Sequence, residues 1–175
     1  SNRMIHEGKL IMKRLGIIAA AVISVVMLAT SAFAQDYQKG VDAYYAGDYD
    51  TAFQEWRTLA EQGDATAQAL LGGMYGEGKG VPQDYAEAVK WYRLAAEQGH
   101  ADAQGNLAVM YGMGTGVLQD NVLAHMWFNL GAANGLEFGA TNRDVLAKEM
   151  TPQAIEQAQA MARECMSNNY KNCGY

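Results

Sequence analysis

A glycine-rich stretch offers the first candidate chemistry. Gly73, Gly78 and Lys79 have the spacing of a phosphate-binding loop up to its last position, where Gly80 replaces the Ser or Thr that would bind magnesium. Such a loop follows a β-strand, whereas helical patterns of apolar residues lie on both sides of this stretch. The pattern therefore favours a connector between two helices over a nucleotide site.

Candidate nucleophiles and acid–base groups are few. Ser167 is the only serine after residue 34, and no Ser-x-x-Lys motif accompanies it. Asp and Glu are frequent, but they occupy helix starts or positions expected to face solvent, where a carboxylate does little acid–base catalysis. The sequence predicts no catalytic residue and no enzyme activity.

Two cysteines could bind a metal or form a disulfide. Cys165 and Cys173 are eight residues apart, and in an oxidising compartment they can close a short ring that stabilises the fold by about 2 to 3 kcal/mol at most. A metal would need two further ligands, and neither His100 nor His125 has a suitable spacing. We therefore predict a disulfide, with no metal and no cofactor. His100 is expected to cap a helix and His125 to lie on an exposed helix face.

An internal repeat supplies the elements that position these residues. Residues 65–100 and 101–136 agree at 17 aligned positions. A period of this length is typical of a stacked array, in which neighbouring units bury each other's apolar faces. Apolar residues recur at steps of three and four twice in each unit, so each unit is predicted to form two helices. Trp91 and Trp127 are expected to be buried between these helices.

Polar residues and glycines mark the predicted helix ends. Asp84 stands at the start of a second helix, with Glu87 placed to complete a capping box. Asp120 occupies the same position one unit later. A glycine recurs where each second helix should end in a left-handed residue, at Gly63, Gly99 and Gly135. The Gly-x-Gly-x-Gly-Val connector between the two helices must bend sharply twice.

The repeated motifs resemble the Sel1-like repeat family, a relative of the tetratricopeptide repeats. Both units have Ala-x-Ala-Gln, Met-Tyr-Gly-x-Gly-x-Gly-Val, Gln-Asp, a tryptophan and Ala-x-x-Gly in this order. The resemblance implies an all-α fold, an α-solenoid of stacked antiparallel helix hairpins, and a non-enzymatic scaffold that holds protein partners. Some cysteine-rich members have been linked with penicillin binding, but this chain lacks their paired-cysteine repeats.

Shorter segments flank the two repeats. Residues 35–64 are interpreted as a first, shorter tetratricopeptide-like unit, because its second helix is in register with those of the repeats. Residues 139–165 are predicted to form a capping helix pair, with one helix over 142–150 and the other beginning at Thr151-Pro152. Residues 166–175 form the tail that carries the predicted disulfide.

The N-terminal sequence is typical of an export signal. Two basic residues at positions 13 and 14 precede an uncharged run from Leu15 to Leu28, and Ala32-Phe33-Ala34 fits a signal peptidase site. Residues 12–34 are interpreted as a signal peptide cleaved after Ala34, which predicts a periplasmic or secreted protein. A retained membrane anchor is the alternative. Residues 1–11 are interpreted as a non-native or upstream extension.

The charge of the chain narrows the class of partner. From Gln35 onward there are nine Lys and Arg against eighteen Asp and Glu, a formal charge of minus nine. Such a chain repels nucleic acids and anionic lipid surfaces. We therefore expect protein partners, no nucleic acid and no stable membrane anchor after cleavage. The acidic charge could also serve only to keep the protein soluble.

A groove along the first helices is the candidate binding site. The resemblance places these helices on the concave side, where small residues leave room for a partner's backbone. The candidate groove residues are Tyr45, Ala69, Gly73, Gly76, Gly105, Val109, Gly112 and Met113. Met74 and Met110 could be adaptable contacts, but they are favoured as core residues that pack between hairpins.

These observations predict an exported protein-interaction scaffold or adaptor of the bacterial cell envelope. The alternative is a cell-wall-acting hydrolase or a protein that binds a β-lactam or peptidoglycan. An enzyme would need a nucleophile, a base and an electrostatic stabiliser close together, and the sequence indicates no such group.

Overall fold

The computed structural model describes residues 36–171 and residue 173, and these form eight α-helices. The signal peptide and the upstream extension predicted for residues 1–34 lie outside the described residues. The all-α prediction is confirmed. The helices, in chain order, are α1 (36–46), α2 (Tyr49–Glu61), α3 (Ala65–Glu77), α4 (Tyr85–Ala96), α5 (Ala101–Met113), α6 (Asn121–Ala133), α7 (Gly139–Ala147) and α8 (Pro152–Ser167).

Side-chain caps begin the helices at the expected positions. The Asp84 carboxylate accepts the N–H of Glu87 at 3.0 Å, and His100 Nδ1 accepts the N–H of Ala103 at 3.3 Å. In the predicted capping box, the Asp84 N–H would donate to the Glu87 side chain. It donates instead to the Tyr75 carbonyl oxygen, at 2.9 Å. The start of α4 is thereby tied to the end of α3.

Each repeat joins its two helices through a loop with two left-handed glycines, as the motif requires. Their φ angles lie between +68° and +71°, at Gly78, Gly80, Gly114 and Gly116. The second glycine of each loop packs directly on a carbonyl of the preceding unit. Gly80 contacts Tyr49, and Gly116 contacts Tyr85. The loops therefore fix how one unit stacks on the next.

The helices pack in sequential order, which gives the solenoid. Helices α3 and α4 form one hairpin and α5 and α6 the next, while α2 packs on α3, α4 on α5 and α6 on α7. Leu71 and Leu107 are fully buried at equivalent places in the two hairpins. Apolar surface is therefore buried both within each hairpin and between neighbouring hairpins, and this burial holds the array together.

A ladder of amide hydrogen bonds around the buried Gln68 and Gln104 also links the units. Gln104 Nε2 donates to the Ala96 carbonyl oxygen at 3.0 Å, and Asn134 Nδ2 donates to Gln104 Oε1 at 2.9 Å. The same bonds recur one repeat earlier around Gln68. Because a buried amide without partners is costly, these contacts favour one stacking geometry over others.

The first of the two C-terminal helices has other bounds than predicted. It spans Gly139–Ala147 rather than 142–150, and it lacks a side-chain cap. Helices α7 and α8 both pack on α6. The predicted start of α8 is confirmed, because Thr151 caps it and Pro152 follows in the first turn. The pair covers the end of the array without forming a further hairpin.

A disulfide holds the C-terminal tail. Cys165 and Cys173 are bonded and both are buried. The tail between them places the Tyr170 hydroxyl 2.8 Å from Asn134 Oδ1, where it extends the amide ladder. The disulfide agrees with an oxidising, exported location.

Two predictions about α4 and α6 need correction. Trp127 is fully buried as expected, but Trp91 is partly exposed. His125 was expected on an exposed face, yet only 1% of its surface is accessible. Burial lowers the pKa of His125 because it disfavours the imidazolium, and the nearby Arg143 charge lowers this pKa further.

The buried imidazole makes stability depend on pH. Its folded-state pKa lies below the ordinary value of 6.5. As the pH falls through 6.5, the unfolded chain therefore takes up a proton that the folded chain resists, and the free energy of unfolding decreases. We expect His125→Gln to reduce this decrease. Urea unfolding of both proteins across pH 8 to 4 measures it, and equal pH profiles would contradict the assignment.

Candidate functional site

Three adjoining cavities run along the first helices of the units. The first, of about 490 Å³, lies between α1, α3 and α5. A second, of about 350 Å³, shares Gly73, Glu77, Tyr92 and Asn106 with it. A third, of about 410 Å³ between α5 and α7, shares Val109 and Met113 with the second. Because neighbouring cavities share lining residues, they form one continuous channel, which we call the first-helix groove.

Most of the residues predicted for the groove line it. Tyr45 stands at one end with 86% of its surface exposed, and Met113 lies further along with 73% exposed. The other predicted residues that line one or more of the cavities are Ala69, Gly73, Gly76, Val109 and Gly112. Flat positions therefore alternate with exposed apolar side chains, which is a surface suited to close approach of another chain.

Gly105 does not line the groove, so this part of the prediction is wrong. It is buried, and the Leu136 side chain occupies the space that a Cβ at this position would need. Gly105 thus serves the packing of α5 against the end of the α6 hairpin. Gly73 differs, because a Cβ added there would meet only the Tyr92 hydroxyl, at 3.5 Å.

Met74 and Met110 belong to the core. Both are buried, which confirms the favoured interpretation, although each forms part of a cavity floor. Their flexible thioether side chains fill space between hairpins from below the groove.

Each second helix also contributes to the groove an aromatic residue that is not among the predicted groove residues. The ring of Tyr92 on α4 packs over Gly72, and its burial raises the pKa of Tyr92 to about 12. Phe128 occupies the equivalent position on α6 and lines the third cavity. The recurrence of an aromatic residue 36 positions later was the available signal.

The charged residues of the groove are acidic. Glu77, Asp102 and Glu149 line the three cavities, and none of the described lining residues is a Lys or Arg. Glu77 is paired with Lys79 at 2.7 Å. This ion pair and the Tyr44 hydroxyl raise the pKa of Lys79. Asp102 and Glu149 form no ion pair within the described part of the chain.

The phosphate-loop spacing has no phosphate-binding geometry. Gly73 lies inside α3 and Gly78 ends that helix, so the stretch presents a helix C-terminus, whose free groups are carbonyl oxygens. Lys79 is already engaged by Glu77 and Tyr44. The stretch is a connector, as the sequence favoured.

The other candidate chemical groups are dispersed or already engaged. Between residues 36 and 173, apart from 172, no three His, Cys, Asp or Glu side chains come together as a metal site would require. His100 Nδ1 is used as a helix cap, and the only serine in this range, Ser167, donates to the Glu164 carbonyl oxygen. No described helix combines the length and apolarity needed to cross a membrane.

Comparison with known proteins identifies the repeats. The sequence profile described as "Sel1 repeat" matches residues 65–100 and 101–136. No curated protein matches the chain. One similar solved structure is that of an Escherichia coli protein with an SLR fold, a protective antigen present in uropathogenic strains. The present chain matches it with a TM-score of 0.74 and 29% sequence identity. This match covers 79% of the present chain and 31% of that one.

A second solved structure is a Sel1 repeat protein from Oxalobacter formigenes. The TM-score is 0.61 and the identity 29%, with 74% of the present chain and 55% of that chain covered. The chain thus spans about a third of the first of these proteins and about half of the second. Sel1 repeats typically mediate protein–protein interactions and generally form a non-catalytic scaffold. The chain thus contains two Sel1 repeats, and its fold is similar to those of solved Sel1 and SLR repeat proteins.

Proposed function

We propose that this protein is an exported, non-enzymatic scaffold of the bacterial cell envelope that binds a partner protein in the first-helix groove. The observation that carries the proposal is the groove itself, where exposed Tyr45, Val109 and Met113 stand beside the small residues Gly73 and Gly76. Monomeric proteins rarely expose contiguous apolar surface without a binding role.

Two further features support an envelope location. Cys165 and Cys173 form a disulfide. Disulfides persist in oxidising compartments and are rare in cytosolic proteins. The sequence before Gln35 has the order of an export signal, and cleavage after Ala34 would leave a mature chain that starts just before α1.

Filling the groove at Gly73 tests the proposal. Gly73→Leu adds a side chain where the first two cavities meet, and the fold should survive because only the Tyr92 hydroxyl lies near the new Cβ. We expect capture of the partner from a crosslinked envelope extract to fall about tenfold or more, since a clash of about 1.4 kcal/mol already lowers affinity by that factor. Recovery is quantified by mass spectrometry.

Two control variants separate binding from folding. Gly73→Ala leaves the groove open and should stabilise α3 by about 0.5 to 1 kcal/mol. Ala160→Leu adds the larger side chain at an exposed position of α8, outside all three cavities. Both should retain the partner. Undiminished capture by folded Gly73→Leu would reject the groove and direct attention to the opposite face of the array.

A further inference from the structure

The first cavity combines aromatic rings with carboxylates. Tyr37, Tyr44 and Trp56 line its α1 and α2 side, and Asp102 and Glu77 line it from α5 and α3. Aromatic faces attract cations through their quadrupole, and carboxylates do so by charge. A cavity with both kinds of group suits a cationic side chain better than a neutral or anionic one.

The protein itself shows that one of these rings, that of Tyr44, accepts a cation. The Lys79 ammonium lies 5.0 Å from the centre of the Tyr44 ring and 5.3 Å from that of Tyr49. It also donates to the Tyr44 hydroxyl at 2.8 Å. Lys79 does not line any of the three cavities, so its position leaves the Asp102 side of the first cavity to another cation.

A second unpaired carboxylate, that of Glu149, lies in the third cavity of the groove. Asp102 and Glu149 lie in its first and third cavities without an ion pair to any described residue. Between them, Val109 and Met113 present apolar surface, and Val145 of α7 adds to it with 56% exposure. An acidic segment would place like charges together in the groove, at a cost in binding free energy.

We propose that the first-helix groove binds a cationic segment of its partner protein. A Lys or Arg side chain of this segment enters the first cavity beside Asp102, and aliphatic side chains contact Val109, Met113 and Val145. The proposal rests on the proposed function and adds the chemistry of the partner. The charge complementarity of the groove carries it.

A displayed library of random 12-residue peptides is the probe. Selection on the wild-type protein, with folded Gly73→Leu as the counter-selection surface, should enrich peptides that combine Lys or Arg with aliphatic residues. The enriched peptides are sequenced and their net charge is compared with that of the input library. The most enriched peptide is then synthesised, and its affinity is measured by fluorescence polarisation.

Asp102→Asn is the decisive variant, and Asp50→Asn is its matched control. Both residues occupy the second position of a helix and lose the same charge, but Asp50 lies outside the three cavities. Asp102→Asn should lower the peptide affinity about tenfold, the size of one charge-assisted contact, and Asp50→Asn should leave it unchanged. Affinity should also fall as salt is raised.

Each outcome decides one of the two proposals. Enrichment of neutral or acidic peptides that Gly73→Leu fails to bind would overturn the cationic partner while retaining the groove. Equal binding of cationic peptides by Asp102→Asn and wild type would also overturn it. Peptides that bind Gly73→Leu as well as wild type, or a library that enriches nothing, would reject the groove itself.

Discussion

Gly116→Ala is expected to destabilise the protein by about 2 to 5 kcal/mol. The left-handed backbone costs a non-glycine residue about 1 to 2 kcal/mol of this, and overpacking costs about 1 to 3 kcal/mol. The φ angle of Gly116 is +70°. An added Cβ would overlap the Tyr85 carbonyl group, which is backbone and cannot rotate away as a side chain could. The loop would have to leave the preceding unit, and the stacking contact would be lost.

Gly135→Ala is the matched control for this change. Gly135 has a φ angle of +97°, but nothing lies within 4 Å of an added Cβ. It should therefore cost only the backbone term of about 1 to 2 kcal/mol. The free energies of unfolding, from urea titration followed by circular dichroism, give the comparison. Equal losses for the two variants would show that the loop does not need its contact with Tyr85.

The repeat period explains why so much of the fold could be predicted. Two aligned copies show which positions are constrained, so the helices, the caps at Asp84 and Asp120 and the left-handed loop glycines all follow from local rules. These features depend on neighbours close in sequence. They are therefore readable without knowledge of how the units pack.

A prediction from the repeat pattern is wrong where equivalent residues of two units have different neighbours. The repeat pattern predicts a groove position for Gly105, because Ala69, one repeat earlier, is also a small residue between core positions of the first helix. Leu136 covers Gly105, whereas the residue equivalent to Leu136 in the preceding unit is His100, which caps a helix. A repeat pattern alone cannot distinguish these roles, because it averages over units whose neighbours differ.

His125 could have been placed correctly from the alignment of the repeats. The equivalent residue one unit earlier is Val89, an apolar residue that is buried. Polarity alone suggested an exposed face, but the register of the repeat sets which way a helix position points. The aromatic pair Tyr92 and Phe128 was overlooked in the same way, since their recurrence marks a constrained position on the second helix.

The arrangement of α7 and α8 depends on contacts that no local pattern records. Both helices pack on α6, so the last repeat is covered on more sides than the one before it. Ala158 and Ala162 of α8 are fully buried in the same core cluster as Trp127. This extra cover distinguishes two tryptophans that the sequence treats as equivalent.

Trp127→Ala is therefore expected to cost about 3 to 5 kcal/mol, whereas Trp91→Ala should cost less, about 1 to 3. Trp127 is fully buried, so its loss removes apolar contacts on all sides and leaves a cavity. Trp91 is partly exposed, and solvent can enter where its ring is removed. The two variants change the same repeat position, so helix propensity and side-chain volume cancel in the comparison.

Urea unfolding of both variants measures the difference. Fluorescence of the remaining tryptophans and circular dichroism should report the same transition if the array unfolds as one unit. A larger loss for Trp91→Ala than for Trp127→Ala would mean that α8 does not cover the second repeat. This result would mean that the C-terminal helices contribute little to the stability of the array. It would also mean that they do not support the wall of the groove beside α7.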